Sequence, residues 1–299
     1  MPTIRIAAAQ YPIDALDTLE AYRAKLGRWV AQADANGAEL LVFPEYGAME
    51  YAAASGATTA GDLQASLAAV SAALAEMDAA HADLARRHGV HILAASGPSE
   101  RSGGRYVNAA RLFSPAGRAG VQEKLIMTPF ERNWGIAGGE GLSVFETALG
   151  RIGIAVCYDS EFPLLVRALA EAGADIVLIP SCTEFASGYN RVRTAARARA
   201  LENTCVTVLS PTVGDAPWSP AVDRNAGAAG IFVPPDHGFS ETGVVAEGAF
   251  NQPQWVYADV ALDRLREIRA TGEMRNSTDW SAQPGAAPLT RHVKTLALT

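Results

Sequence analysis

Four side chains in this sequence have the types and settings that chemistry needs. Cys157 follows the apolar run RIGIAV and precedes Tyr158, Asp159, Ser160, Glu161, Phe162 and Pro163, so a strand ending at the cysteine is expected to turn straight into a helix. Asp159 or Ser160 can cap that helix, and Pro163 suits its first turn. Free N–H groups and partial positive charge at a helix start lower a thiol pKa and supply donors for an oxyanion. Taken alone, Cys157 fits a buried core cysteine better, because free cysteine is among the most buried residue types. Glu45 follows the apolar stretch 40–43 and Pro44, just past an expected strand end where α/β sheets bind ligands, although an ordinary loop glutamate fits equally well. Lys124 lies in QEKLIM on an expected strand, where a surface-facing lysine is the plain reading. Glu131, in TPFERNWG, is either a helix-start carboxylate or an acid beside a site.

Elements must hold these groups in place. Period-two or continuous apolar runs predict strands over 4–10, 40–43, 91–95, 106–113, 120–126, 152–157, 176–179, 205–210, 229–233 and 255–260. Helices are expected over 16–36, 62–88, 163–172 and 190–203, with Gly37, Gly89 and Gly173 closing three of them. This alternation predicts a layered α/β fold. Ser-Pro-Ala-Gly at 114–117, between two strand-like runs, predicts a hairpin and therefore mixed sheets. Pro and Gly fall singly at element ends until 211–223, read as a surface loop, so residues 1–270 are expected to form a single domain. Beyond Gly272 the chain turns polar and carries Pro284, Gly285 and Pro288, so 271–299 reads as an extended tail, an arm across a subunit partner being one use for it.

Composition removes whole classes of function. With 299 residues, 49% hydrophobic and 19% charged, the chain has ample material for a core. A net charge of −7 argues against a dominant affinity for nucleic acid or an anionic membrane. Arg191, Arg193, Arg197 and Arg199 share one expected helix, yet the alanines between them point to close helix packing with the arginines paired to acids. No apolar run reaches the roughly 18 residues that cross a bilayer, and a cytoplasmic location is expected. The three cysteines, Cys157, Cys182 and Cys205, are spaced for neither a disulfide framework nor a CxxC metal site, which suits a reducing compartment. His88 closes a helix and His91 opens a strand, so no zinc site is expected from them.

The motifs FPEYG, EKLIMTPFE and VCYDSEFPLLVRALAEAGADIVLIPS, continuing through RVRTAARARALEN to the final helix, resemble the nitrilase (carbon-nitrogen hydrolase) superfamily over nearly the whole chain. That resemblance implies a four-layer αββα sandwich with mixed sheets and a homodimer or higher homo-oligomer. It implies Cys157 as the nucleophile, Glu45 as the general base, Lys124 as the oxyanion-stabilising cation and Glu131 as a second glutamate that orients them. The chemistry is consistent: a carboxylate takes the thiol proton, the thiolate attacks an amide carbonyl, and the ammonium with the Tyr158 backbone N–H holds the oxyanion. Water activated by the same base then hydrolyses the thioester, and no metal or organic cofactor is called for.

Neighbouring residues bear on the substrate. Several superfamily amidases and carbamoylases that act on carboxylate-bearing substrates place Arg a few residues after the nucleophile, where this chain has Asp159, Ser160 and Glu161. An acid there makes anionic amides less attractive, unless Glu161 only caps the helix or pairs with Lys124 or Arg167. Tyr158-Asp159, in place of the Trp-Glu common in true nitrilases, favours amides over nitriles. Cys182, Thr183, Glu184, Phe185 and Tyr189 are expected to shape the pocket, with Met49, Tyr51 and Trp134 as further walls, although such residues more often pack. The expected function is hydrolysis of a small-molecule linear amide through a Cys157 thioester. Acyl transfer from that thioester and nitrile hydrolysis are the alternatives, with a nucleic-acid-binding module a distant one.

Overall fold

Alternate residues of the first strand serve two different cores. In β1 (Ile4–Pro12), Ile6 and Ala8 point to one face and Ala7 and Ala9 to the other, and all four are fully buried. The computed structural model describes residues 3–283, 286 and 293–298, and builds two sheets outward from this strand. The remaining strands are β2 (Leu40–Val42), β3 (His91–Leu93), β4 (Gly97–Arg101), β5 (Arg105–Phe113), β6 (Ala119–Glu123), β7 (Leu142–Thr147) and β8 (Gly150–Ile154). They continue with β9 (Ile176–Ser181), β10 (Val206–Asp215), β11 (Arg224–Asn225), β12 (Gly230–Phe232), β13 (Val244–Glu247), β14 (Gln254–Val260) and β15 (Val293–Ala297). The first sheet runs β14-β1-β2-β3-β5, with β4 and β6 also paired to β5. The second runs β15-β7-β8-β9-β10-β12-β13. They join where Tyr11 and Pro12 pair with Thr212 and Val213.

Helices close both outer faces. The α-helices are α1 (Leu19–Ala35), α2 (Ala57–Ala60), α3 (Leu63–His88), α4 (Pro129–Trp134), α5 (Pro163–Glu171), α6 (Ala186–Asn203), α7 (Leu262–Thr271) and α8 (Asn276–Asp279). Thr18 and Asp62 cap α1 and α3 through the N–H groups of Ala21 and Ala65, and α3 ends on basic Arg86, Arg87 and His88 before left-handed Gly89. α1 and α3 bring Leu26, Val30, Leu67 and Leu74 against Ala7, Leu41 and Ile92 of the first sheet and Phe43 just past β2. Ile6, Val42 and Leu112 of that sheet share a second core with Phe145, Ile154, Leu178 and Val208 of the other, which α5 and α6 cover with Val166, Leu169, Val192 and Ala196. The layers are therefore helix, sheet, sheet, helix, and the expected hairpin is present as β5 and β6. Among the described residues no helix is long and apolar enough to cross a membrane.

Several expected boundaries move for tertiary reasons. β10 runs through Pro211 to Asp215, so part of the stretch read as a loop is the buried seam joining the two sheets. β6 stops at Glu123 and β8 at Ile154, which leaves Lys124 and Cys157 beyond the strands expected to carry them. At the end of the tail, β15 lies parallel on β7 of the same chain and Leu298 is buried, while Pro284, Gly285 and Pro288 lie outside the described residues. The α6 arginines are engaged locally: Arg191 with Glu161, Arg193 with Glu247, Arg197 with the Thr242 carbonyl, and Arg199 with Glu202 and the Ser160 carbonyl.

The two sheets touch closely at Gly120 of β6, where a Cβ would stand 2.3 Å from the Phe145 ring of β7. Gly120→Ala is therefore expected to lower stability by about 1–3 kcal/mol through overpacking. Urea unfolding checks this, with an unchanged midpoint showing that the layers part freely there.

Candidate active site

An ammonium buried between two carboxylates organises one end of the sandwich. Lys124 is only 1% exposed, and its Nζ lies 2.8 Å from Glu45 Oε1 and 2.6 Å from Glu131 Oε2. Burying such charges is costly unless hydrogen bonds complete them, and two carboxylates against one cation leave an excess negative charge to satisfy. The remaining donors are all present. Asn108 Nδ2 reaches Glu45 Oε1 at 2.9 Å and Glu131 Oε1 at 3.3 Å, and the Cys182 N–H reaches Glu45 Oε2 at 2.9 Å. Glu131 also accepts from the Tyr46 hydroxyl at 3.0 Å and from the N–H and hydroxyl of Thr128 at 2.9 Å each.

These partners treat the two glutamates differently. Burial lifts Glu45 above the ordinary carboxylate range, with Lys124 opposing it only in part. Burial pushes Glu131 the same way, but Lys124 and the Thr128 bonds prevail and hold it below that range. Burial disfavours the Lys124 charge, yet Glu45 and Glu131 outweigh it and keep the ammonium well above its usual value. Glu131 satisfies both of its sequence readings, since it is the N3 residue of a capping box with Thr128 at the start of α4 and also a partner of Lys124.

Cys157 opens a 3₁₀ turn, Cys157–Glu161, three residues past β8, with φ at 47°. Tyr46, beside Glu45, has φ at 52°, so two of the four non-glycine residues with positive φ among the described residues stand at this site. Backbone strain of this kind persists only where surrounding bonds fix it. Asp159 and Ser160 do not cap α5, contrary to expectation: its N-cap is Phe162, without a side-chain bond. Asp159 instead accepts from the N–H groups of Leu125 at 3.0 Å and Ile126 at 2.8 Å, tying the cysteine turn to the segment after Lys124, and burial pushes its carboxyl up to about 7. Ser160 Oγ donates to the Cys157 carbonyl at 2.6 Å.

The thiol also behaves otherwise than a helix start suggests. Burial, and then the Glu45 charge, push Cys157 well above the usual thiol range, although Lys124 and the Ser181 hydroxyl at 3.5 Å favour the thiolate. A single 3₁₀ turn in a buried setting does not overcome desolvation. The balance of these effects favours the neutral thiol.

These groups line a cavity of about 420 Å³. Of the pocket residues named from the sequence, Trp134, Glu161, Cys182, Thr183, Glu184 and Phe185 line it, joined by Tyr158 and by Phe130, Arg191, Asp223 and Arg224, which sequence reasoning missed. Tyr51, Tyr189 and Met49 lie elsewhere. Met49 is buried in the core, Tyr51 packs edge-on to Tyr22, and the Tyr189 hydroxyl donates to Glu247. Glu161 pairs with Arg191 at 3.4 Å, whereas Arg167 binds Glu171. Asn108, Tyr46, Asp159 and Ser181 were likewise missed, since only a fold shows what touches a carboxylate or a thiol.

A sequence profile of the carbon-nitrogen hydrolases matches residues 5–270. The chain belongs to the carbon-nitrogen hydrolase family. It is 43% identical over 198 residues to the probable hydrolase YhcX of Bacillus subtilis, an overlap covering 66% of this chain and 38% of that protein. It is 33% identical over 144 residues to the deaminated glutathione amidase of Yersinia enterocolitica, covering 44% of this chain and 50% of the relative. The matched region thus spans between about two fifths and half the length of these relatives. Among solved structures, a carbon-nitrogen hydrolase from Helicobacter pylori superposes with a TM-score of 0.74 at 20% identity, covering 90% of this chain and 92% of that one.

In this carbon-nitrogen hydrolase, iodoacetamide is expected to label Cys157, which is buried but lines the cavity beside Glu45 and Lys124, faster than Cys205, which is buried away from the cavity. Glu45 has a raised pKa and accepts a proton only when ionised, so labelling falls on acidification at a pH above the ordinary glutamate value. Peptide mapping across pH checks both, with equal labelling in Cys157→Ala as the contrary result.

Proposed function

We propose that the protein is an amidase that hydrolyses small linear amides through a thioester on Cys157. The observation that carries this reading is the Lys124 ammonium, held by Glu45 and Glu131 on the same cavity wall as the Cys157 thiol. Glu45, the carboxylate with the raised pKa, takes the thiol proton as the thiolate attacks the amide carbonyl. Lys124 and the Tyr158 N–H hold the oxyanion. The proton passes from Glu45 to the departing amine, and Glu45 then activates water against the thioester. Glu131 keeps its charge throughout and fixes Lys124. Two carboxylates pushed apart in pKa divide the work between proton transfer and electrostatic support. A cytoplasmic location fits the three free cysteines, the family resemblance supports a homodimer or higher homo-oligomer, and the placement of Pro and Gly supports a single domain over 1–270 with 271–299 appended as a tail.

An amide library read by ammonia release and intact-protein mass spectrometry tests the reaction. Cys157→Ala is expected to abolish turnover and the acyl adduct, while Glu45→Gln and Lys124→Ala each lower kcat by on the order of 10²–10³ with unchanged circular dichroism. Turnover surviving in Cys157→Ala would refute the reading. An acyl group passed to an added amine in preference to water would make the enzyme a transferase.

The cavity wall carries five carboxylates, Glu45, Glu131, Glu161, Glu184 and Asp223, against three cations, Lys124, Arg191 and Arg224, which supports neutral or amine-bearing amides over carboxylate-bearing ones. Arg191 shields Glu161, so the charge effect of that one residue is modest. Glu161→Gln is expected to raise the kcat/KM ratio of a carboxylate-bearing to an isosteric neutral amide by up to about tenfold. An unchanged ratio would transfer substrate choice to the segment 183–188.

A further inference from the structure

We infer that Asn108 is a positioning residue for the Cys157 reaction, its side-chain amide clamping Glu45 and Glu131 to either side of Lys124. The inference rests on the hydrolase reading above and adds a residue that the reading does not use. Asn108 lies in β5, is 0% exposed and does not line the cavity. Its Nδ2 carries two hydrogens, and the two glutamates take them, at 2.9 Å and 3.3 Å. The amide orientation is fixed from behind. Ser96 Oγ accepts from the Tyr46 N–H at 3.0 Å, so its own proton is free for Asn108 Oδ1 at 2.7 Å. A flipped amide would turn an oxygen toward two carboxylates. The Asn108 carbonyl in turn accepts from the Lys124 N–H at 2.9 Å, so one residue sets the base, its partner acid and the cation that joins them.

Loss of the amide leaves two buried Oε1 atoms without a shared donor. The ionised form of Glu45 is then less stable, and the base takes up a proton at higher pH. The titratable and charged groups around Glu45 are Lys124, Glu131, Tyr46, Cys157, Cys182 and Asp159, and only Glu45 and Glu131 among them bond the Asn108 side chain, so a limb that moves in Asn108→Ala belongs to the two glutamates and one that stays belongs to Asp159 or the thiols.

Asn108→Ala is expected to move the acid limb of kcat upward by on the order of one pH unit. At neutral pH it is expected to lower kcat about tenfold or more, with KM within about twofold because no substrate contact is lost. Iodoacetamide labelling of Cys157 against pH reads the same limb without any substrate. Ser96→Ala, which frees the amide to rotate, should shift it in the same direction by less. A folded Asn108→Ala protein with wild-type limbs in both assays overturns the inference. Should Asn108→Ala fail to fold, a wild-type limb in Ser96→Ala does so. Turnover that survives Cys157→Ala would refute the hydrolase reading instead, and the labelling limb would still decide the role of Asn108.

Discussion

The structure depends on one buried arrangement of charge, the Lys124 ammonium between Glu45 and Glu131. Coulombic attraction alone does not repay the removal of three charges from water, so every remaining lone pair needs a donor. Those donors come from separate parts of the chain: Asn108 from β5, Cys182 from the end of β9, Tyr46 from the turn after β2 and Thr128 from the start of α4. Each of these elements is pinned to the same point. The αββα layers are thus oriented about a polar knot as well as packed through two apolar cores.

That knot has a chemical asymmetry. Glu131 sits at a helix start with two bonds from Thr128 and stays a firm anion, while Glu45 has fewer donors and is lifted toward a usable proton affinity. The same burial pushes the adjacent thiol toward its neutral form, and the proton transfer from thiol to carboxylate proposed above relieves both groups. The left-handed backbone at Tyr46 and Cys157 aims the groups, and Asp159 holds the Cys157 turn against the segment that follows Lys124.

Toward solvent the character changes. The cavity mouth mixes Glu161, Glu184 and Asp223 with Arg191 and Arg224, and the Glu161–Arg191 pair makes the charge there a property of partners, not of any single residue. The arginines of α6, which look basic along the sequence, are distributed among acids and carbonyls around the helix.

The sequence by itself determined the α/β alternation, the β5–β6 hairpin, the glycines that close α1 and α3, and through three motifs the family and the candidates Glu45, Lys124, Glu131 and Cys157. These are legible because periodicity, turn chemistry and motifs are local. Only the tertiary structure decided that β4, with Gly97 and Pro98 at its start, is a strand, since its partner β5 supplies the pairing. It also decided that β10 continues through Pro211, that Asp159 binds the chain after Lys124 instead of capping a helix, that Glu161 meets Arg191, and that the Cys157 thiol is pushed up. Asn108 stands 63 residues from Glu45, and Lys124 stands 79 from it. Burial and hydrogen bonding between such distant positions are settled by packing, so a local pattern names the chemical groups while their protonation and partners emerge only when the fold removes water from around them.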